Sequence, residues 1–187
     1  LGWLAILMMS AVGLPGQHPS SIRWWGEDRG DTEGRKGRFA QVAAGWDVTA
    51  ALRDDGRLFV NGHNAYRVPE IPVLPTGLRF VSVSVWDFGL AVLSDGSVAV
   101  WGATPWTPPA APALPPGTRY QQVAAGSVQA LALRSDGVVV GWSAPAWDVT
   151  GLSVVPPAIQ GSVVKVAAGE NVSLALLANG TVVAWGP

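Results

Sequence analysis

Val163–Gly186 reads V-V-K-V-A-A-G-E-N-V-S-L-A-L-L-A-N-G-T-V-V-A-W-G, and this stretch decides the fold. Three short apolar runs, Val163 to Ala168, Ser173 to Leu177 and Thr181 to Trp185, are each bounded by Gly or Asn, the pattern of strands separated by turns. Asn179-Gly180 between the last two predicts a two-residue type I′ hairpin, with positive φ at both central residues. The unit is an antiparallel meander.

Its landmarks recur along the chain. Gly169 precedes Gly180 by 11 residues, and the same interval separates Gly126 from Gly137, Val85 from Gly96, and Gly45 from Gly56. Six residues after each turn glycine stands Gly186, Ser143, Gly102 or Gly62, preceded by Trp185, Trp142, Trp101 or Asn61. A partial copy, Ser21 to Gly26, ends the same way in Trp24-Trp25-Gly26. The turn glycines repeat at intervals of 40, 41 and 43 residues. Fixed landmarks with a drifting period describe a repeat array whose length differences fall in one connecting loop. Full copies cover residues 39–62, 80–102, 120–143 and 163–186.

The pattern V-A-A-G, a short loop, an S-L-A-L-like strand, a D-G or N-G turn and V-x-x-W-G resembles the regulator of chromosome condensation repeat. Its period of about forty residues is that of the bacterial form, also found in the type-II β-lactamase-inhibitor protein. The resemblance covers residues 20–187 and implies a seven-bladed β-propeller. The sequence departs from the family at the His before S-L-A-L, replaced by Val48, Phe88, Gln129 and Val172. The N-x-x-G-Q segment after W-G is also replaced, and the copies are too few for seven blades. The expected fold is therefore all-β, a partial propeller of four to five blades. The chain reads as a fragment of a longer propeller; the other reading is an open arc completed by a second chain, because unpaired end blades invite self-association.

Composition narrows the function. Hydrophobic residues make up 49% of the 187, ample for a core. Charged residues make up 13% and the net charge is −1, so no basic field exists to hold nucleic acid. Cysteine is absent, which excludes disulfides and thiolate metal sites. The only histidines, His18 and His63, cannot supply a His-based relay or a multi-histidine metal centre. No G-x-S-x-G, G-x-x-x-x-G-K-[ST] or G-x-G-x-x-G occurs, and no cofactor is expected. The chain reads as a non-enzyme.

Leu1 to Ser10 is an apolar run of signal-peptide length, followed by Ala11-Val12-Gly13, small residues that a signal peptidase accepts. Residues 1–19 are read as this segment and a lead-in, which implies a secreted, extracellular or periplasmic module with no membrane attachment once the signal is removed. Its apolar run falls short of about 18 residues, the length a spanning helix needs. Arg29-Gly30-Asp31 spells an integrin-type tripeptide in a solvated connector. Asn171-Val172-Ser173 and Asn179-Gly180-Thr181 match the glycosylation pattern and are discounted. The linkers, residues 63–79, 103–119 and 144–162, are proline-rich and are expected to form outer edge strands and crossovers. The second copy, with Val83-Ser84-Val85 where the others have Ala-Ala-Gly, should enter its loop differently.

A meander reverses the chain at each turn, so the loop after A-A-G and the loop after W-G emerge on one face and the D-G turns on the other. The first face gathers Trp46, Asp47, Trp86 and Asp87 with Tyr66, Trp106, Trp147 and Asp148. Trp and Tyr beside carboxylates combine large contact area with little rotamer entropy, as recognition anchors do. Trp25, Trp101, Trp142 and Trp185, at strand ends, read as packing. In the β-lactamase-inhibitor relative aromatic loops of one propeller face grip the partner enzyme, so the resemblance implies a protein partner, and inhibition, through this face. The alternative is a glycan-binding or structural cell-surface propeller, since exposed Trp also stacks on sugars. A WD-type propeller, drawn from Trp46-Asp47 and Trp86-Asp87, is disfavoured because those pairs follow a first strand. Arg53-Asp54-Asp55, Asp95 and Arg134-Ser135-Asp136 on the opposite face read as solvated turns.

Overall fold

A computed structural model describes residues 38–62, 67–102, 104–105, 107–144 and 151–187. Within them the four full copies fold as four three-stranded antiparallel sheets. Blade 1 is β1 (Phe39–Ala44), β2 (Val48–Arg53) and β3 (Leu58–Gly62). Blade 2 is β4 (Phe80–Val85), β5 (Gly89–Leu93) and β6 (Val98–Trp101). Blade 3 is β7 (Tyr120–Ala125), β8 (Gln129–Arg134) and β9 (Val139–Ser143), and blade 4 is β10 (Val163–Ala168), β11 (Ser173–Leu177) and β12 (Val182–Trp185). The expected all-β partial propeller is what forms. The signal-like segment, Trp25 and the tripeptide Arg29-Gly30-Asp31 lie outside the described residues. No helix among the described residues is long and apolar enough to cross a membrane.

The strands are apolar on both faces, and among the described residues the cores lie at the three junctions between successive blades, so that blades 2 and 3 are covered on both sides. Ala50, Leu52 and Leu58 of blade 1 meet Phe80, Val83 and Leu93 of blade 2. Phe88, Leu90 and Val92 on the far face of blade 2 meet Tyr120, Val123 and Ala130 of blade 3. Leu131, Leu133 and Val139 then meet Val163, Val166 and Ala175 of blade 4. Each first strand shifts register at the same point, Phe39/Gln41, Phe80/Ser82, Tyr120/Gln122 and Val163/Lys165. Such a bulge increases local twist.

Adjacent blades are also tied by polar bonds. The carbonyls of three turn glycines accept from the first residue of the next blade: Phe80 N to Gly56 O at 3.4 Å, Tyr120 N to Gly96 O at 3.0 Å and Val163 N to Gly137 O at 3.3 Å. The Gln41 amide donates to Val83 O (2.7 Å) and accepts from Val83 N (3.0 Å). Gln122 repeats this at the third junction, donating to Val166 O and accepting from Val166 N, both at 3.0 Å. Ser82 at the same register is too short for it. At that junction Ala125 N donates to Ser84 Oγ instead (2.9 Å).

Three expectations are corrected. First, the hairpin at Asn179-Gly180 is not type I′. Gly180 N donates to Leu177 O (2.9 Å), Leu177 N donates to Thr181 O (2.8 Å), and only Gly180 has positive φ, 86°. This is a three-residue loop, a type I turn followed by a left-handed glycine, and Asn179 contributes its Oδ1 to Thr181 N at 3.0 Å. The two-residue pattern overlooked Ala178, which belongs to the loop.

Second, the described parts of the linkers form no edge strand; their one regular element is a 3-10 turn, Pro157–Ile159. Prolines cannot donate to a ladder, and the indoles ending the third strands hold the linkers instead. Trp101 Nε1 donates to Val68 O (2.8 Å), Trp142 Nε1 to Pro109 O (3.0 Å) and Trp185 Nε1 to Leu152 O (3.0 Å), each 33 residues back. The structural reading of these three Trp is thereby explained: each fills its blade and satisfies a linker carbonyl.

Third, Val85 does not stand in the place of Gly45. It pairs with Gly89 as Ala44 pairs with Thr49, and Trp86 takes the glycine's place, its N donating to Phe88 O as Gly45 N donates to Val48 O. The second loop is one residue shorter.

Candidate functional site

The loops joining first and second strands crowd together on one face of the arc. A Cβ added to Gly45 would lie 2.6 Å from Trp86 Cα, so the first two loops touch backbone to backbone. Ser127 N donates to Gly169 O (3.3 Å), and Ser127 Oγ to Glu170 O, stitching the third loop to the fourth. Gln129, fully buried, donates from Nε2 to Gly169 O at 3.1 Å and Val172 O at 3.4 Å.

The ends of the third strands meet these same loops. A Cβ on Gly62 would lie 2.2 Å from Asp47 O, one on Gly102 3.5 Å from Asp87 O, and one on Gly186 2.8 Å from Asn171 O. All three glycines have φ between 121° and 145°, so these three positions need glycine for backbone conformation and for space, whereas blade 3 places Ser143 there without a positive φ. The exit after W-G and the loop after the first strand therefore share a face, as strand parity predicts.

Four of the eight expected site residues are described. Trp46 is 62% exposed at the loop tip. Trp86 is half-buried against the core between blades 2 and 3, so much of its ring serves packing. Asp47 and Asp87, both half-buried, are close enough for charge repulsion between them. Among the described residues Asp87 Oδ1 is buried with no hydrogen-bond partner. Burial first, and the Asp47 charge second, push the Asp87 carboxyl above its ordinary value. Tyr66, Trp106, Trp147 and Asp148 lie outside the described residues.

The opposite face differs. Each turn is closed locally: Arg57 N, Ser97 N, Val138 N and Thr181 N donate to the side chains of Asp55, Asp95, Asp136 and Asn179, at 2.9 to 3.3 Å. Hydrogen bonds from Ser97 hold Asp95 below the usual carboxylate range, and Arg134 does the same for Asp136. These carboxylates already have donors. Among the described residues no group of three or more His, Cys, Asp or Glu side chains could hold a metal ion.

Sequence reasoning missed the amide clamps of Gln41 and Gln122 and the stitch made by Gln129. The first two left a signal, Gln at one register in two copies. Gln129 was visible only as a departure from the family's His. The repeated Trp-Asp pair put Asp47 and Asp87 on one face, and packing of the first two loops brought them together.

Fold and loop geometry together define a partial β-propeller built of three-stranded repeat blades. Two segments, residues 39–67 and 163–186, match the regulator of chromosome condensation repeat. No curated protein matches the chain. Among solved structures the chain is similar to Prp20p from Saccharomyces cerevisiae, at TM-score 0.63 and 19% identity, over 80% of this chain and 44% of that one. Human WBSCR16 is similar at TM-score 0.61 and 23% identity, over 80% and 47%. The CRINKLY WD40 ectodomain of the Arabidopsis thaliana receptor kinase ACR4 is similar at TM-score 0.60 and 23% identity, over 79% and 50%. At these identities the likeness is one of fold, and the chain spans half or less of each. Prp20p has binding properties toward Gsp1p and histones, and a structure of yeast Prp20 with Kap60 bound is known.

Proposed function

We propose that the chain is a non-enzymatic binding module that grips a protein partner through its aromatic loop face, with inhibition of that partner as the outcome. The observation that carries this reading is Trp46, 62% exposed at a loop tip beside a pair of half-buried carboxylates. An exposed indole on a rigid loop loses little entropy on binding, and a basic side chain from the partner would relieve the Asp47–Asp87 repulsion. That Prp20p engages other proteins supports protein recognition by this repeat type. The apolar run Leu1 to Ser10 supports a secreted or periplasmic place of work. Residues 1–19 fused to a reporter should direct export, and retention of the reporter in the cytoplasm would remove that part of the reading.

The test compares the chain with its Trp46→Ala variant in quantitative pull-downs followed by inhibition assays on whatever is captured. The variant should lose about 2 kcal/mol of affinity for a specific partner. A partner bound equally by both forms defeats the assignment. The second reading, glycan binding, is favoured by the same exposed indole, and a glycan array on which Trp46→Ala loses signal would select it.

A further inference from the structure

Blades 1, 2 and 3 each begin one residue after an arginine, Arg38, Arg79 and Arg119, on the face of the D-G turns. The backbone there is held alike: Asp54 N, Ser94 N and Ser135 N donate to the carbonyls of Arg38, Arg79 and Arg119 at 2.9 to 3.1 Å. The side chain opposite sets what the guanidinium does. In blade 1 it is Asp54, whose Oδ2 lies 2.9 Å from Arg38 Nε. In blades 2 and 3 it is serine, and Ser94 Oγ and Ser135 Oγ accept the backbone N–H of Arg79 and Arg119, both at 3.3 Å. Arg38, Arg53, Arg57 and Arg134 each lie within 3.9 Å of an aspartate. Among the described residues Arg79 and Arg119, both exposed, pair with none.

Both side chains are nevertheless held. A Cβ on Gly56 would lie 2.7 Å from Arg79 Cβ and 3.0 Å from its Cδ, and one on Gly96 would strike Arg119 Cβ, so each aliphatic stem rests on the turn glycine of the preceding blade. A seated stem leaves the charged head in water and loses less freedom when that head is bound. The carboxylates of the same two turns are already engaged. Asp55 accepts from Arg57 N at 3.1 Å and pairs with Arg53, and Asp95 accepts from Ser97 N and Oγ at 2.9 and 2.7 Å.

We propose that Arg79 and Arg119 form a docking site for an extended acidic segment of a partner protein, each guanidinium taking one carboxylate. Arginine presents its donors as a planar fork that matches a carboxylate in two hydrogen bonds. The hydroxyls of Ser94 and Ser135, whose protons are committed to no acceptor among the described residues, stand beside the two forks to donate as well. Successive sheets pack about 10 Å apart. A polyproline-type segment has about three residues per turn and rises about 3.1 Å per residue, so acidic residues three apart share a face at about that spacing. Two isolated arginines on a chain of net charge −1 do not track a phosphate backbone, which favours a peptide over nucleic acid. The site sits on interior blades, on the face opposite Trp46, and is independent of the loop-face reading.

The 187-residue chain is titrated with a peptide carrying Glu-Pro-Pro-Glu while the arginine Nε–H signals are followed by NMR. The Arg79 and Arg119 signals should move together with a Kd of about 1 mM, and a Gln-Pro-Pro-Gln peptide should move neither. Arg79→Gln and Arg119→Gln should each weaken binding by about fivefold or more. Ser94→Asp, which gives Arg79 the partner that Arg38 has, should weaken it as much without lowering the melting temperature. Trp46→Ala should leave it unchanged, which separates this site from the loop face. Binding that survives both arginine substitutions or Ser94→Asp, or equal shifts with the glutamine peptide, overturns the proposal. So does tighter binding of an oligothymidylate by the same two arginines, which would assign the site to nucleic acid.

Discussion

Blades 3 and 4 share their landmarks and differ in their company. Leu131 in β8 and Leu174 in β11 occupy one register on the same side of their sheets, yet Leu131 is fully buried and Leu174 only half-buried. Gln122 clamps the backbone of the following blade, while Lys165 at the same register is exposed. Local pattern dictates that a residue lies on a strand and which way it faces. Whether that face is core depends on a neighbouring sheet about forty residues further along.

The comparison breaks most sharply at the two leucines. Leu131→Ala leaves a cavity between blades 3 and 4 and should cost about 2–5 kcal/mol in urea unfolding. Leu174→Ala should cost clearly less, about 1–2 kcal/mol, since part of its side chain already lies in water. Equal losses would mean that blade 4 is covered in solution.

Next in size is the clamp. Gln122→Ala leaves the amide and carbonyl of Val166 without their cross-blade partners and should cost about 1–3 kcal/mol. Lys165→Ala should stay within about 0.5 kcal/mol of the parent. Trp142→Phe keeps most of the ring but strips the donor from Pro109 O, a loss of about 1 kcal/mol. The same change at half-buried Trp185 should cost less, because water can replace the donor to Leu152 O.

The smallest effect lies on the loop face. Burial and Asp47 raise the Asp87 pKa in the folded state, so folding favours protonated Asp87. That contribution is fully present below the ordinary carboxylate pKa and is lost as pH rises through the raised value. Asp87→Asn should therefore melt slightly higher than the parent at neutral pH, with the difference shrinking as the solution is acidified through the carboxylate range. A variant less stable at neutral pH would show that the charged form is held by a donor.

The legible parts of the fold are those with short reach. Each meander is written in some twenty-four consecutive residues, such as 163–186, whose apolar runs and turn glycine need no distant partner. Strand parity put Trp46-Asp47 and Trp86-Asp87 on one face, because direction alternates however the blades pack. Less legible were features that depend on a second segment. The loop at Trp86 looked like a substituted glycine until strand pairing showed a deletion. The prolines suggested edge strands, because nothing local reveals an indole 33 residues later that will bind the carbonyl. Trp86 read as a recognition anchor, and packing against the next blade claimed part of it.

By itself the amino-acid order determined the strands, their two-sided apolar character and the common face of the loops, because these follow from backbone periodicity and the reversal at each turn. Tertiary structure alone decided which side chains bridge blades, which carboxylates lie together and which apolar faces are core. Those outcomes depend on surfaces brought together from distant parts of the chain, and a side chain's environment is set by what packs on it.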